Sequence, residues 1–142
     1  MKSKIRFNIC FIFSLTFLFF NNINSQKNVN YRWDKMLDKY VFVNGRVNYK
    51  DWKKEQNELK KYIRTLEENI PKKSWSKNDK LAYWINTYNA ITIDLILDNF
   101  PVKSIKEIKN RFEKKLYKKK YSLGDIEHKI LRKMNEPRIH FA

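Results

Sequence analysis

Leu81-Ala82-Tyr83-Trp84-Ile85-Asn86-Thr87-Tyr88-Asn89-Ala90 is the stretch on which the reading of the fold turns. At about 100° per residue, Leu81, Trp84, Ile85, Tyr88, Ile91, Leu95 and Ile96 share one broad face, and Asn89 falls among them. Only Thr87, Asp94 and Asp98 are left as a narrow polar arc, so the segment reads as a central buried helix. Ser76 followed three residues later by Asp79 predicts its start as a capping box, and Pro101 predicts its end near Asn99. Buried amides need partners, so Asn86 and Asn89 are expected as structural polar residues that satisfy backbone groups.

Working outward, Trp33, Met36, Leu37, Tyr40 and Val41 follow helical spacing, and Asn44-Gly45 between β-formers in Val41–Tyr49 predicts a tight hairpin. Asp51 reads as the N-cap of a helix with Trp52, Leu59, Tyr62, Ile63, Leu66 and Ile70 on one face, ended by Pro71. On the other side, Ser104 is placed to cap a short helix through Phe112. Lys114–Tyr121 reads as a pair of short basic strands or an extended excursion, and Ser122 with Asp125 opens a last helix to about Met134. Pro137 then releases the chain into Arg138–Ala142, where Ile139 and Phe141 begin the alternation of a strand. The fold class this implies is α+β: helix-dominated, with a central buried helix, a short Asn-Gly hairpin and an incomplete sheet at the C-terminus. A strand left unpaired just after it begins predicts that the domain is truncated.

Lys2, Lys4 and Arg6 precede an apolar run from Phe7 to Phe20, which gives way to Asn21-Asn22 and Ser25. This is the pattern of a secretory signal peptide over residues 1–25, since a membrane span wants about 20 apolar residues. Residues 26–142 then form one domain in the periplasm or outside the cell, with no transmembrane segment after cleavage. The only cysteine, Cys10, leaves with the signal, so no thiolate or zinc–thiolate chemistry is available to residues 26–142. The signal also takes three of the 31 basic residues and none of the 15 acidic ones, leaving a mature charge of +13. Such a balance suits polyanions, but export and the lack of a recognised motif argue against specific nucleic-acid binding. The lysines of Lys114–Lys120, interleaved with Leu116 and Tyr117, fit a solvated hairpin better than a groove.

The residues with chemical potential lie near the end. Ile126, Ile130, Leu131 and Met134 form a second apolar stripe, and Glu127 falls inside it. A buried carboxylate has to be paired or protonated, so Arg132, Arg138, His128, His140 and Asn89 are its candidate partners. Glu127, His128 and His140 are the candidate catalytic residues of an incomplete site, expected to converge, while Arg132 and Arg138 join Asn86 and Asn89 as structural polar groups. The two histidines lack a third ligand at helical or strand spacing, so no metal and no cofactor are predicted.

Trp33 with Leu37, Gly45–Tyr49, Leu81–Ala90, Ser104-Ile105, Leu123–Arg132 and Pro137–Ala142 together resemble the family of domains of unknown function numbered 547, in that family's order. The resemblance implies an exported bacterial protein of unassigned activity, of which residues 26–142 are the N-terminal part. It also implies that the segment matching Arg138–Ala142 runs on into a cysteine-bearing strand, which invites comparison with papain-like or transglutaminase-like thiol hydrolases and transferases. Two functions follow: a structural or binding module of the cell envelope whose partner is an envelope protein or glycan, or part of a thiol enzyme whose nucleophile lies past Ala142. By either reading this chain alone is expected to be inactive.

Overall fold

The computed structural model describes residues 30–115 and 121–136. They form five helices: α1 over residues 30–40, α2 over Tyr49–Lys54, α3 over Gln56–Glu68, α4 over Lys77–Asp98, and α5 over residues 123–134. Short 3-10 turns at Ile105–Glu107 and Arg111–Glu113 connect α4 to α5. α4 packs against α2, α3 and α5, and is the axis about which the others are arranged. None of the described helices is long and apolar enough to cross a membrane.

The expectation of an α+β fold is overturned, because the described residues contain no strand. What remains of the sheet is two isolated antiparallel bridges, Val41 with Val47 and Lys115 with Ser122. Each is short for the same reason: the residue that should extend it is already a helix cap. After Val47 the chain reaches Asn48, whose N–H donates to Tyr40 O at 2.8 Å while its side chain accepts from Asp51 N at 3.2 Å and starts α2. After Lys115 the chain returns at Ser122, whose hydroxyl accepts from Asp125 N at 3.1 Å and starts α5. The Asn-Gly turn does form, but as a three-residue loop over Val43, Asn44 and Gly45. Phe42 N donates to Arg46 O and Gly45 N to Phe42 O, both at 2.8 Å, and only Gly45 takes positive φ, at 77°. The strand expected at Arg138–Ala142 lies outside the described residues, as do residues 1–29, where a signal peptide was expected, and residues 116–120.

Local capping chemistry sets the other boundaries. Ser76 accepts from Asp79 N at 3.1 Å and donates its hydroxyl to the Asp79 carboxylate at 2.6 Å, opening α4. Asn48 and Asp51 repeat the device at α2, so the cap lies three residues before Asp51, where it was expected. The single helix expected after Asp51 is broken at Glu55, the residue that Lys39 of α1 grips at 2.6 Å. Ser104 caps only the 3-10 turn Ile105–Glu107 rather than a helix reaching Phe112.

The core holds two aromatic groups. Trp33, Tyr40, Trp52 and Tyr62 bind α1 to α2 and α3: Tyr40 stacks on Trp52 at 4.8 Å, and Trp33 on Tyr62 at 5.1 Å. Trp75, Tyr83, Trp84 and Tyr121 follow one another edge to face at 5.0–5.9 Å and tie α4 to the loop before α5.

Of the polar arc expected on α4, Thr87, Asp94 and Asp98, only Asp98 is exposed. Thr87 is fully buried, its hydroxyl donating to Tyr83 O at 2.7 Å, and Asp94 is buried in a network with Gln56 and Lys114. Asn89, placed by periodicity on the apolar face, is exposed. A helix contacted from several sides buries polar groups wherever a partner reaches them, and hydrophobic periodicity does not encode partners.

Candidate functional site

Glu127 projects from a segment of α5 wound as a π-helix, Asp125–Ile130, which gives way to a 3-10 turn at Leu131–Met134. The change of winding is visible in the backbone: Ile126 N donates to Ser122 O four residues back, whereas Leu131 N donates to Ile126 O five residues back as well as to Glu127 O. In an α-helix, residues five apart stand about 140° away from each other, but π winding makes five residues the hydrogen-bond repeat. Arg132 is thereby brought beneath Glu127, and its guanidinium donates to Glu127 Oε1 at 2.8 Å. The second oxygen, Oε2, accepts from the Tyr88 hydroxyl of α4 at 3.0 Å.

The carboxylate is half-buried, with its side chain 21% exposed. Burial raises its pKa, but the hydrogen bonds from Arg132 and Tyr88 outweigh that and hold it below the ordinary carboxylate value. The Tyr88 phenol moves the opposite way, pushed up to about 12 by burial and by its bond to Glu127. Glu127 therefore stands at neutral pH as an anion bridging two helices.

The other candidate residues are arranged less tightly. His128 is 56% exposed, with Nδ1 4.0 Å from Glu127 Oε1, beyond hydrogen-bond reach, and its ring 6.2 Å from that of Phe112. Asn86 is half-buried and Asn89 exposed on α4. His140 and Arg138 lie outside the described residues. Among the described residues no three of His, Cys, Asp and Glu gather as metal ligands. Tyr88 was missed by sequence reasoning because it counts as apolar in a periodicity, although a buried tyrosine carries a polar tip that needs a partner.

Lys114, Asp94, Asp98 and Gln56 form a second polar cluster, which sequence reasoning did not find. Lys114 Nζ donates to Asp98 at 2.6 Å and pairs with Asp94 at 3.1 Å, while Gln56 Nε2 donates to both aspartates at 2.9 and 2.7 Å. No local spacing announces it: Gln56 and Lys114 come from elements 38 and 16 residues away from their aspartates.

A profile of the family described as "Protein of unknown function, DUF547" matches residues 72–142, half of the chain. The chain belongs to the DUF547 family. The matched region begins just before α4 and takes in both polar clusters' contributions from α4 and α5, whereas α1 to α3 precede it. No curated protein matches, and no solved structure matches.

Two outcomes test this part of the DUF547 domain. Glu127→Ala should destabilise by about 1–2 kcal/mol at pH 7, since it strands the Tyr88 hydroxyl and removes a charge-assisted bond. Because the folded pKa of Glu127 is depressed, its contribution is present above the ordinary value of 4.5 and is lost as pH falls through the folded value. Urea melts of the two proteins should therefore converge in acid, and a difference that persists unchanged at pH 2.5 would contradict this geometry. Asn89→Leu should alter stability by less than about 0.5 kcal/mol, as befits an exposed position; a loss above about 1 kcal/mol would show that Asn89 carries a buried contact.

Proposed function

We propose that this DUF547 protein is an exported binding module of the cell envelope, and that the Glu127 cluster is a structural tie between α4 and α5. The observation that carries the second half is that both Glu127 oxygens are taken, by Arg132 and by Tyr88, which leaves an anion with no proton to give and no oriented histidine beside it. The export half is supported by the basic start and the apolar run Phe7–Phe20. The test is mass spectrometry of fractionated cells: a mature N-terminus near Gln26 in the envelope or medium is the expected result. Cytosolic protein with Met1 intact would overturn it.

A second reading rests on the π winding, because single π turns inside helices concentrate at functional sites. In that reading Glu127 and His128 belong to a thiol hydrolase or transferase, with the cysteine supplied by sequence beyond Ala142. His128→Ala separates the two, since an exposed structural histidine should be replaceable with no effect beyond a few tenths of a kcal/mol and none on any reactivity of a longer form.

A further inference from the structure

We infer that Phe42 and Val43, at the tip of the turn between α1 and α2, form a wedge that enters the headgroup layer of an anionic lipid membrane. This deepens the proposed function by naming the partner of the envelope module, and rests on it. Phe42 is 55% exposed and Val43, its neighbour in the chain, is fully so. Val41 and Val47, bridged across the turn, pack against the core, so Phe42 and the residue facing it, Arg46, are turned outwards. The outer face of the turn therefore carries a ring and a guanidinium side by side, with Val43 standing beyond both.

The loop is tied so as to hold that arrangement. Phe42 N donates to Arg46 O and Gly45 N to Phe42 O, while Arg46 N donates to Asn44 Oδ1 at 3.1 Å. Backbone donors satisfied within the turn lower the cost of carrying it out of bulk water. What stays in water is apolar side-chain surface, which entry into an apolar layer relieves.

Shape and charge select lipid as the occupant. Two side chains on a convex tip offer on the order of 300 Å², well short of the roughly 800 Å² per partner that a stable protein interface uses. A bilayer needs no matching surface, because lipids close around what enters, and a depth of about 5–10 Å reaches its acyl boundary. Around the tip, Asp51 and Glu55 are already matched, by Lys54 at 2.7 Å and by Lys39 at 2.6 Å. Arg46 and Lys50 are exposed and make no ion pair among the described residues, against Asp38 as the remaining acid of residues 38–50. An arginine beside an inserted ring lays its stem along the apolar layer and keeps its guanidinium among the phosphates. The whole chain, with 31 basic and 15 acidic residues, is drawn to an anionic surface from a distance.

The full chain is tested with vesicles of phosphatidylcholine, with and without phosphatidylglycerol. Because the run Phe7–Phe20 can itself enter lipid, the readout sits at the tip: an environment-sensitive dye on Val43→Cys in a Cys10→Ser background. Its emission should shift to the blue, saturably, with phosphatidylglycerol vesicles and little with phosphatidylcholine alone. The same dye on Lys103→Cys, on the loop after α4, should keep its emission in water. Phe42→Ser in the dye-bearing chain should cut the shift by about half, since it removes the larger apolar side chain of the wedge. Arg46→Gln with Lys50→Gln should reduce it to the value seen with phosphatidylcholine, whereas Lys103→Gln with Lys106→Gln, the same loss of charge elsewhere, should leave it unchanged. The wedge is disproved by a tip dye that stays aqueous with both vesicles, by an equal shift at Lys103, or by a shift that Phe42→Ser does not alter. A shift produced by solubilised envelope protein and not by vesicles would assign the tip to a protein partner and overturn the lipid contact. An exported and cleaved protein whose tip stays aqueous removes the wedge while leaving the envelope reading in place; a cytosolic protein whose tip enters vesicles does the reverse.

Discussion

Lys114→Met is expected to destabilise the chain by about 3 kcal/mol, out of scale with the loss of one lysine from a basic protein. The reason lies on α4, where Asp94 and Asp98 stand one turn apart and would repel each other without the ammonium that bridges them. Asp94 is buried with its side chain only 8% exposed, so deleting the lysine leaves a carboxylate that water cannot re-solvate and that only Gln56 still contacts. Methionine keeps the length of the stem, which isolates the charge from the packing. Urea melts decide the matter, and a loss under about 1 kcal/mol would mean that Lys114 is a surface pair of the ordinary weak kind.

The same cluster sets the acid limb. Burial raises the Asp98 pKa, but hydrogen bonds from Lys114, Gln56 and Lys60 reverse this and hold it at about 2. A carboxylate depressed in the folded state contributes stability above its unfolded value, near 3.8, that is lost as pH falls towards 2. Without Lys114 the acid transition should move to higher pH.

Trp52→Ala should cost about 4 kcal/mol, a large part of what a chain of this size possesses. Trp52 is wholly buried, stacked on Tyr40 at 4.8 Å and 6.3 Å from Trp33, so with the Trp33–Tyr62 stack it attaches α1 to the rest. Loss of the near-ultraviolet circular dichroism together with a non-cooperative melt is the expected sign. Trp52→Phe should cost much less, because it keeps a ring in the stack and also removes an indole N–H that has no partner among the described residues. Equal losses in the two variants would show that the stack is not what holds α1.

What was legible in the sequence was local. Ser76 with Asp79 and Ser122 with Asp125 were correctly read as helix starts because a capping box is complete within four residues. Asn48 was overlooked because it sits in an apolar run that suggested a strand, and the break at Glu55 carries neither glycine nor proline to mark it. The sheet failed because β-propensity in Val41–Val47 says nothing of how soon the next cap arrives. Thr87 and Asn89 were exchanged, inside for outside, because only the partners decide which polar residue a crowded helix can bury. Glu127 was legible as a carboxylate inside an apolar stripe, and so was Arg132 as one of its possible partners. Tyr88 was not, since its hydroxyl is invisible to hydropathy. The stripe held no sign of the unusual winding, because Ile126, Ile130 and Met134 recur every four residues as on an ordinary α-helix.

The π winding makes α5 tolerant of a one-residue change in length. A π segment holds one residue more than the α-helical path it replaces, so removing any single residue between Asp125 and Ile130 would let the helix relax to ordinary winding. Everything beyond a deletion at residues 128–130 would keep its direction, because four α-helical residues close a turn as five π-helical ones do, and the guanidinium of Arg132 would stay beneath Glu127. Lys129 is an exposed member of that stretch, held by a surface pair with Asp125 at 2.6 Å, and its place in the count is the one that α winding can give up. In α5 the winding and the spacing together align the guanidinium with the carboxylate: five residues apart on a π turn, or four on an α turn.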